Sequence, residues 1–146
     1  MTSYEPSGRT VIIPMAWKLV MVDHANREFP IEACGVLAKA QTDDWKVAEI
    51  YEMKNVEQLP IGYSMDPKEQ LGIERTMRER GQQMLGIYHS HTASEARPSP
   101  VDIKHAVSPD IVYVLVSVVP HSEAVVRGFQ IDGERVKEDA LSFTLD

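Results

Sequence analysis

The sequence predicts one α+β domain, in which a central mixed β-sheet is flanked by two main helices and a short third helix. Segments with helical spacing of apolar residues alternate along the chain with short runs of β-branched and aromatic residues. The most apolar run, residues 111–119, carries no charge, which is typical of a strand buried on both faces. With 146 residues, the chain is long enough to bury one sizeable core.

The first elements are a strand and a helix. Residues 1–8 are interpreted as a flexible tail and residues 9–146 as the single domain. The β-branched run at 10–14 predicts a strand that stops at proline, and a helix is expected at about 15–28. The apolar residues spaced for one face of that helix are Met15, Leu19, Val22 and Ala25.

The middle of the chain predicts a hairpin, a connection and a second helix. Residues 33–40 and 45–53 have strand patterns separated by polar turn residues. The next segment is interpreted as irregular, with a short strand near Tyr63. Pro67 suits the first turn of a helix, and Gly81 suits its end.

The remaining residues predict four strands and a short helix. The strands are expected at 83–91, 111–119, 124–132 and 134–145, and the helix at 99–107. These strands complete the predicted mixed sheet.

Composition and charge exclude several classes of function. The net charge of -7 argues against nucleic acid or an anionic membrane as the main partner, because both need a cationic protein face. One cysteine, Cys34, excludes an internal disulfide and a multi-cysteine metal site. No apolar run approaches the roughly 20 residues that span a bilayer, and the N-terminus lacks a signal-peptide pattern. A soluble, cytoplasmic protein is expected.

The segment "YHSHTASEARPSPVD" contains two histidines at strand spacing. Alternate residues of a strand share a face, so His89 and His91 should point the same way, about 7 Å apart at Cα. Two imidazoles so placed can bind one metal ion. Histidines that are exposed, or that bond to nearby carbonyl groups, are the alternative, because chance gives such a pair in roughly 0.17 of chains with this composition.

The sequence Ser99-Pro-Val-Asp102 after the histidines has two compatible interpretations. Serine as N-cap, proline at the first position and an acid at the third are typical of a helix start. The same helix start would fix Asp102, and the intervening loop is long enough to bring it back to the strand end. Two histidines and one aspartate would leave the fourth tetrahedral position to water, as in catalytic zinc sites.

A hydrolytic metal site also needs a proton acceptor outside the ligand set. Glu32 lies directly before the apolar strand "ACGVL", where a charged side chain is tolerated if it faces a site. A solvated residue at the strand entrance is the alternative interpretation.

The five residues together resemble the motif of the JAMM, or MPN+, metalloprotease family. That motif is a glutamate, then His-x-His, seven residues, and Ser-x-x-Asp, which here are Glu32, His89, His91, Ser99 and Asp102. Chance would place the histidines, serine and aspartate so in about 7 of 10,000 chains.

The likeness covers most of the chain and is to small stand-alone bacterial members of the cysteine-biosynthesis type. It rests on "FPIEACGVL", "YSMDPKEQL" and "YHSHTASEARPSPVDIKHA". The resemblance implies a cytidine-deaminase-like MPN fold, with a short helix that carries a metal ligand. It implies one Zn²⁺ per chain bound by His89, His91 and Asp102, with Glu32 as proton acceptor and Ser99 stabilising the oxyanion or the bound water.

The implied reaction is hydrolysis of an amide bond at the C-terminus of a ubiquitin-like sulfur-carrier protein, which releases cysteine or a short extension. The alternatives are an isopeptidase that removes ubiquitin-like modifiers, a zinc amidohydrolase for small molecules, a structural zinc site and a non-catalytic scaffold. The ligand types also suit Fe(II) or Mn(II). The sequence leaves the oligomeric state and the role of Cys34 open, although a small buried hydrophobic residue is favoured for that cysteine.

Overall fold

The structure is a computed structural model that describes residues 3–57, 62–120 and 122–146. The elements in these ranges are β1 (Glu5–Pro14), α1 (Met15–Glu28), β2 (Cys34–Ala40), β3 (Glu49–Met53), α2 (Pro67–Glu79), β4 (Gln82–His91), α3 (Pro100–His105), β5 (Val112–Ser117), β6 (Val125–Asp132) and β7 (Arg135–Thr144). This content confirms the predicted α+β class.

All seven described strands form one mixed sheet. Their order is β1-β7-β6-β5-β4-β2-β3, with β1–β7 and β4–β5 parallel and the other pairs antiparallel. β5 lies in the middle of the sheet and every residue in it is buried, as its uncharged sequence predicts. The adjacent strand β4 carries both motif histidines.

The helices cover opposite faces of the sheet. Leu37 packs into the core beneath α1, whereas its neighbour Val36 packs beneath α2. Val114 and Leu115 of β5 alternate in the same way, with Leu115 in a cluster that also contacts α3. The strands next to the motif are therefore fixed by packing from both sides.

The first strand begins earlier than predicted. β1 starts at Glu5, so residues 5–8 belong to the sheet and not to a tail. The cause is a distant contact: the Ser7 hydroxyl and the Arg9 guanidinium both bond to the buried Asp139 on the neighbouring strand β7. Met1 and Thr2 lie outside the described residues.

Two local predictions were also wrong. Leu19, assigned to the apolar face of α1, is 58% exposed, and the buried residues of that helix are Met21, His24 and Ala25. Near Tyr63 the described residues contain no strand, only an isolated bridge between Asn55 and Met65. Residues 58–61 of that connection lie outside the description.

None of the helices in the described ranges combines the length and the apolar character needed to cross a bilayer.

Candidate metal centre

The two motif histidines lie together at the end of β4, on the face opposite α1. The preceding Tyr88 packs into the α1-side core, so strand alternation points His89 and His91 to the other face. Both histidines are buried, and their ring centroids are 5.1 Å apart. Pairing of β4 with β2 on one side and β5 on the other holds this geometry.

Asp102 reaches the histidines because a capping box starts α3 in front of them. The Asp102 amide donates to Ser99 Oγ over 3.1 Å, and the Ser99 amide donates to Asp102 Oδ2 over 2.9 Å. The carboxylate then lies 3.1 Å from His89 Nε2 through Oδ1 and 3.1 Å from His91 Nε2 through Oδ2. The hydrogen bonds that start the helix therefore also hold the Asp102 carboxylate at its candidate ligand position.

The donor set fits a metal ion. One ligand atom from each of His89, His91 and Asp102 lies within 4.8 Å of the others, and no fourth His, Cys, Asp or Glu among the described residues joins them. The nitrogen Nε2 of His89 is buried and has no hydrogen-bond partner of acceptable geometry within the described part of the chain, despite its nearness to Asp102. A cation bound there would use this otherwise unpaired lone pair.

The outer nitrogen of His91 is already held by the backbone. His91 Nδ1 lies 2.8 Å from the Glu95 carbonyl oxygen, so Nδ1–H donates to that carbonyl and Nε2 is the nitrogen that faces Asp102. Nε2 donates to the carboxylate when the ring is protonated and offers its lone pair to a metal ion when the ring is neutral. Such a second contact orients metal-binding histidines in general. The loop between β4 and α3 therefore fixes the ring in the orientation that a metal needs.

The charges of the three groups depend on one another. Burial disfavours the Asp102 carboxylate, but the adjacent imidazoles of His89 and His91 and the Ser99 amide outweigh burial and hold the pKa of Asp102 well below its usual range. Burial also opposes a charge on His91, yet the hydrogen bond to Asp102 raises the pKa of His91 above its ordinary value. The site therefore keeps an ionised carboxylate beside imidazoles, a set suited to a divalent cation.

Glu32 lies immediately before β2 and lines a cavity with His91, Ser99 and Asp102. It is only 5% exposed. Burial raises the pKa of the Glu32 carboxyl, whereas a hydrogen bond from the Gly62 amide and the nearby histidines favour the ionised form. A buried carboxyl group with a raised pKa beside a candidate metal site suits proton transfer.

Ser90 points away from the candidate ligands, as the alternation of the strand predicts. Its Oγ accepts a hydrogen bond of 2.8 Å from the Ala33 amide, and its own amide donates to the Ala33 carbonyl over 3.0 Å. Ala33 follows Glu32, so Ser90 links the histidine strand to the backbone that carries the glutamate.

Two cavities meet at Asp102. The smaller, of about 240 Å³, contains Glu32 and Ser99. The larger, of about 400 Å³, extends past His89 and His105 toward Tyr113 and Leu115. Both are lined by Gly62, Val101 and Asp102. Both cavities therefore border the candidate metal position, one beside His89 and the other beside His91.

Two contributors to the site were missed by sequence reasoning. Tyr63 stacks on the His89 ring, with centroids 4.5 Å apart and planes 27° from parallel. Asn55 is buried and bonds to the Glu32 carbonyl. Both lie in the connection after β3, which lacks the regular pattern that would have marked them.

Two further residues with reactive side chains, Cys34 and His24, are buried in packing contacts. Cys34 is fully buried, and burial raises the pKa of its thiol to about 12, so it stays protonated at neutral pH. His24 is buried against the Tyr88 hydroxyl, 2.8 Å from Nδ1. The burial of Cys34 agrees with the expectation of a small buried hydrophobic residue.

The comparisons with known proteins agree on one protein family. Residues 14–131 match the family described as prokaryotic homologs of the JAB domain. The chain is 42% identical over 122 residues to a CysO-cysteine peptidase of Mycobacterium tuberculosis, covering 84% of this chain and 83% of the relative. It is 36% identical over 89 residues to a desampylase of Haloferax volcanii, covering 60% and 63% of the two chains.

Solved structures share the fold. A protein from Desulfitobacterium hafniense superposes with a TM-score of 0.85 at 34% identity, covering 93% of this chain and 94% of that one. A JAB1/MPN domain protein from Archaeoglobus fulgidus gives a TM-score of 0.56 at 18% identity over 92% and 98% of the two chains, a likeness of fold alone. The expected MPN fold is confirmed by these neighbours.

Proposed function

Because the chain belongs to the family of prokaryotic homologs of the JAB domain, we propose that it is a zinc-dependent metallopeptidase that acts at the C-terminus of a ubiquitin-like sulfur-carrier protein. The observation that carries the proposal is the buried Glu32 beside the His89–His91–Asp102 cluster, with two cavities that both border Asp102. A small-molecule amidohydrolase would be favoured by one deep closed pocket. A structural zinc site would need a fourth protein ligand.

His89, His91 and Asp102 would hold the ion through the Nε2 atoms and the carboxylate. When bound, zinc supplies a Lewis acid that polarises the scissile carbonyl and lowers the pKa of water. Glu32 accepts a proton from the attacking water and later gives one to the leaving amine. Ser99 Oγ already accepts the Asp102 amide, so its own O–H hydrogen remains available to the developing oxyanion.

The carrier tail is proposed to bind as an added strand. β3 is an edge strand of the sheet, and the register places Met53 level with Cys34 and Cys34 level with His89. A tail along β3 would thus lead to the candidate metal centre.

The released group is proposed to be cysteine or a short C-terminal extension, which agrees with the name of the mycobacterial relative. The single cysteine and the net charge of -7 support a cytoplasmic setting without nucleic-acid or membrane partners.

Metal content and activity of wild type and Glu32→Gln test the proposal together. The substrate is a ubiquitin-like carrier with cysteine attached to its terminal glycine, and parallel samples carry a short peptide extension or an isopeptide-linked lysine. We expect both proteins to bind about one zinc ion per chain and only wild type to cleave. Glu79→Gln, an exposed change at the end of α2, is the matched control and should cleave like wild type.

The possible results separate the alternatives. Zinc binding with cleavage of the isopeptide alone would support a modifier-removing isopeptidase instead. Zinc binding without cleavage of any carrier would reject the peptidase proposal and leave the metal site standing. Absence of zinc from both proteins would reduce the motif to a strand end and a helix cap.

A further inference from the structure

Asn55, two residues beyond β3, makes four hydrogen bonds to described residues through one buried carboxamide. Its Nδ2 donates to the Glu32 carbonyl over 2.9 Å and to the Gly62 carbonyl over 3.1 Å. Its Oδ1 accepts from the Glu57 amide at 3.0 Å and the Ser64 amide at 3.1 Å. The residue is 1% exposed, and these bonds engage both hydrogens of Nδ2 and the Oδ1 oxygen.

The segment that Asn55 holds also contacts the proposed reaction centre. Gly62 donates its amide hydrogen to the Glu32 carboxylate and lines both cavities. Tyr63, which lies between the bonded Gly62 and Ser64, stacks on His89. One carboxamide therefore binds the backbone of Glu32 and the chain segment that contacts the carboxylate of Glu32.

We propose that Asn55 is a positioning residue for the hydrolytic reaction, which fixes Glu32 and the Gly62–Ser64 segment relative to each other. This inference rests on the proposed peptidase function. Asn55 touches none of the three candidate ligands through the contacts described, so its loss should misplace the proton acceptor and leave metal binding intact. Misplacement of a reacting group by about 1 Å can cost on the order of 100-fold in rate.

Two substitutions at this position separate positioning of Glu32 from simple support of the loop. Asn55→Ala removes all four bonds. Asn55→Asp has nearly the same shape and keeps the acceptor for Glu57 and Ser64, but it loses the donors to Glu32 and Gly62 and places an oxygen against two carbonyl groups. The matched control is Asp139→Asn, which weakens a buried polar contact on β7, three positions from β4 in the sheet.

Zinc content, thermal stability and steady-state kinetics are measured for all four proteins at a temperature where each is folded. We expect both Asn55 variants to keep about one zinc ion per chain and to lose at least about tenfold in kcat. Asp139→Asn should lose stability and keep its kcat. Amide exchange in zinc-free protein gives a second measurement: Asn55→Asp should speed exchange at Gly62 while Ser64 stays protected.

Several results would overturn the inference. A wild-type kcat in Asn55→Asp would overturn it, even if Asn55→Ala fails to fold. A loss of zinc in proportion to the loss of activity would also overturn it. An unchanged rate of amide exchange at Gly62 in Asn55→Asp would overturn the inference without any activity assay. If wild type itself cleaves no carrier, the proposed function fails, and the exchange measurement still decides whether Asn55 fixes this segment.

Discussion

Glu32 shows how stability and chemistry oppose each other at one side chain. Its carboxyl group is buried, and burial raises its pKa despite the hydrogen bond from Gly62 and the neighbouring His89 and His91. An ionised group that gives up its hydration is less favourable in the folded chain than in the unfolded chain. The same shift moves the pKa toward the working pH of a general base.

We therefore expect Glu32→Gln to stabilise the zinc-free protein near neutral pH. A carboxyl group whose pKa is raised by folding contributes stability that is fully present below its unfolded pKa and is lost as pH rises through its folded pKa. Wild type undergoes this loss and the glutamine variant does not. The advantage of the variant should thus appear only above the ordinary glutamate value of 4.5.

Urea unfolding of the zinc-free proteins over a pH series measures this difference. Glu79→Gln, which changes an exposed glutamate, should show no comparable pH-dependent gain. Equal unfolding free energies for wild type and Glu32→Gln at every pH would show that burial of Glu32 has no energetic consequence.

The candidate site residues differ in how far the sequence could reveal them. His89, His91, Ser99 and Asp102 lie within fourteen consecutive positions, so strand alternation and helix-start chemistry predict their approach from local rules. Asn55 acts on Glu32 across 23 positions through one side-chain contact, which no local pattern records. Its burial depends on the folded course of the chain after β3.

Helix α3 combines a structural and a proposed chemical role in Ser99. The hydroxyl oxygen caps the helix, and the same hydroxyl is proposed to stabilise the oxyanion. Loss of the cap should lower the free energy of unfolding by about 0.5–2 kcal/mol in Ser99→Ala, but by only about a few tenths in Ser99→Gly. Loss of an oxyanion donor should lower kcat by about 100- to 1000-fold in both variants.

Chemical unfolding and steady-state kinetics on the two Ser99 variants separate the roles. If kcat follows stability, so that Ser99→Gly retains nearly full activity, the serine serves the helix alone. Equal losses of kcat with unequal stabilities support a role in catalysis.

The contact between β4 and the start of β2 gives a prediction about strand coupling. Ser90→Ala leaves the buried Ala33 amide without its side-chain acceptor, which should cost about 1–3 kcal/mol of unfolding free energy. Because Ala33 follows Glu32, kcat should fall as well. Ser142→Ala, an exposed change on β7, is the matched control for thermal unfolding and activity. Unchanged stability in Ser90→Ala would show that this contact does not couple the strands.

Strands and helices were predicted well where hydrophobic pattern and turn residues agreed. Residues 111–119 contain β5, and Pro67 and Gly81 bracket α2 and its cap as their backbone preferences require. The face of α1 was wrong because its apolar residues nearly surround the helix, so the position of the sheet, not the spacing, decides that Met21 is buried and Leu19 is exposed.

Arg9, on the edge strand β1, contacts parts of the molecule that are distant in the sequence. Its guanidinium group forms two hydrogen bonds of 2.8 Å to Asp139 on β7 and further bonds to the carbonyls of Pro109 and Ile111 before β5. It also lies 4.7 Å from the ring centroid of Trp45, in the segment that leads into β3. Ile12 of β1 bonds to that same segment. One side chain thus connects both edges of the sheet.

This arrangement predicts a loss of global stability that leaves the chemistry unchanged. Asp139→Ala leaves the guanidinium of Arg9 without its buried counter-ion, which should lower the unfolding free energy by about 3–5 kcal/mol. The double variant Arg9→Met/Asp139→Leu removes both charges and should recover most of that loss, since a buried ion pair is often replaceable by apolar packing. Urea unfolding of wild type, the single variants Arg9→Met and Asp139→Leu, and the double variant gives the coupling energy. Zinc content and kcat of the folded fraction should match wild type throughout, because β7 is separated from β4 by β6 and β5. A double variant as unstable as Asp139→Ala would mean that the carbonyl contacts of Arg9, not its pairing with Asp139, account for the stability that Arg9 provides.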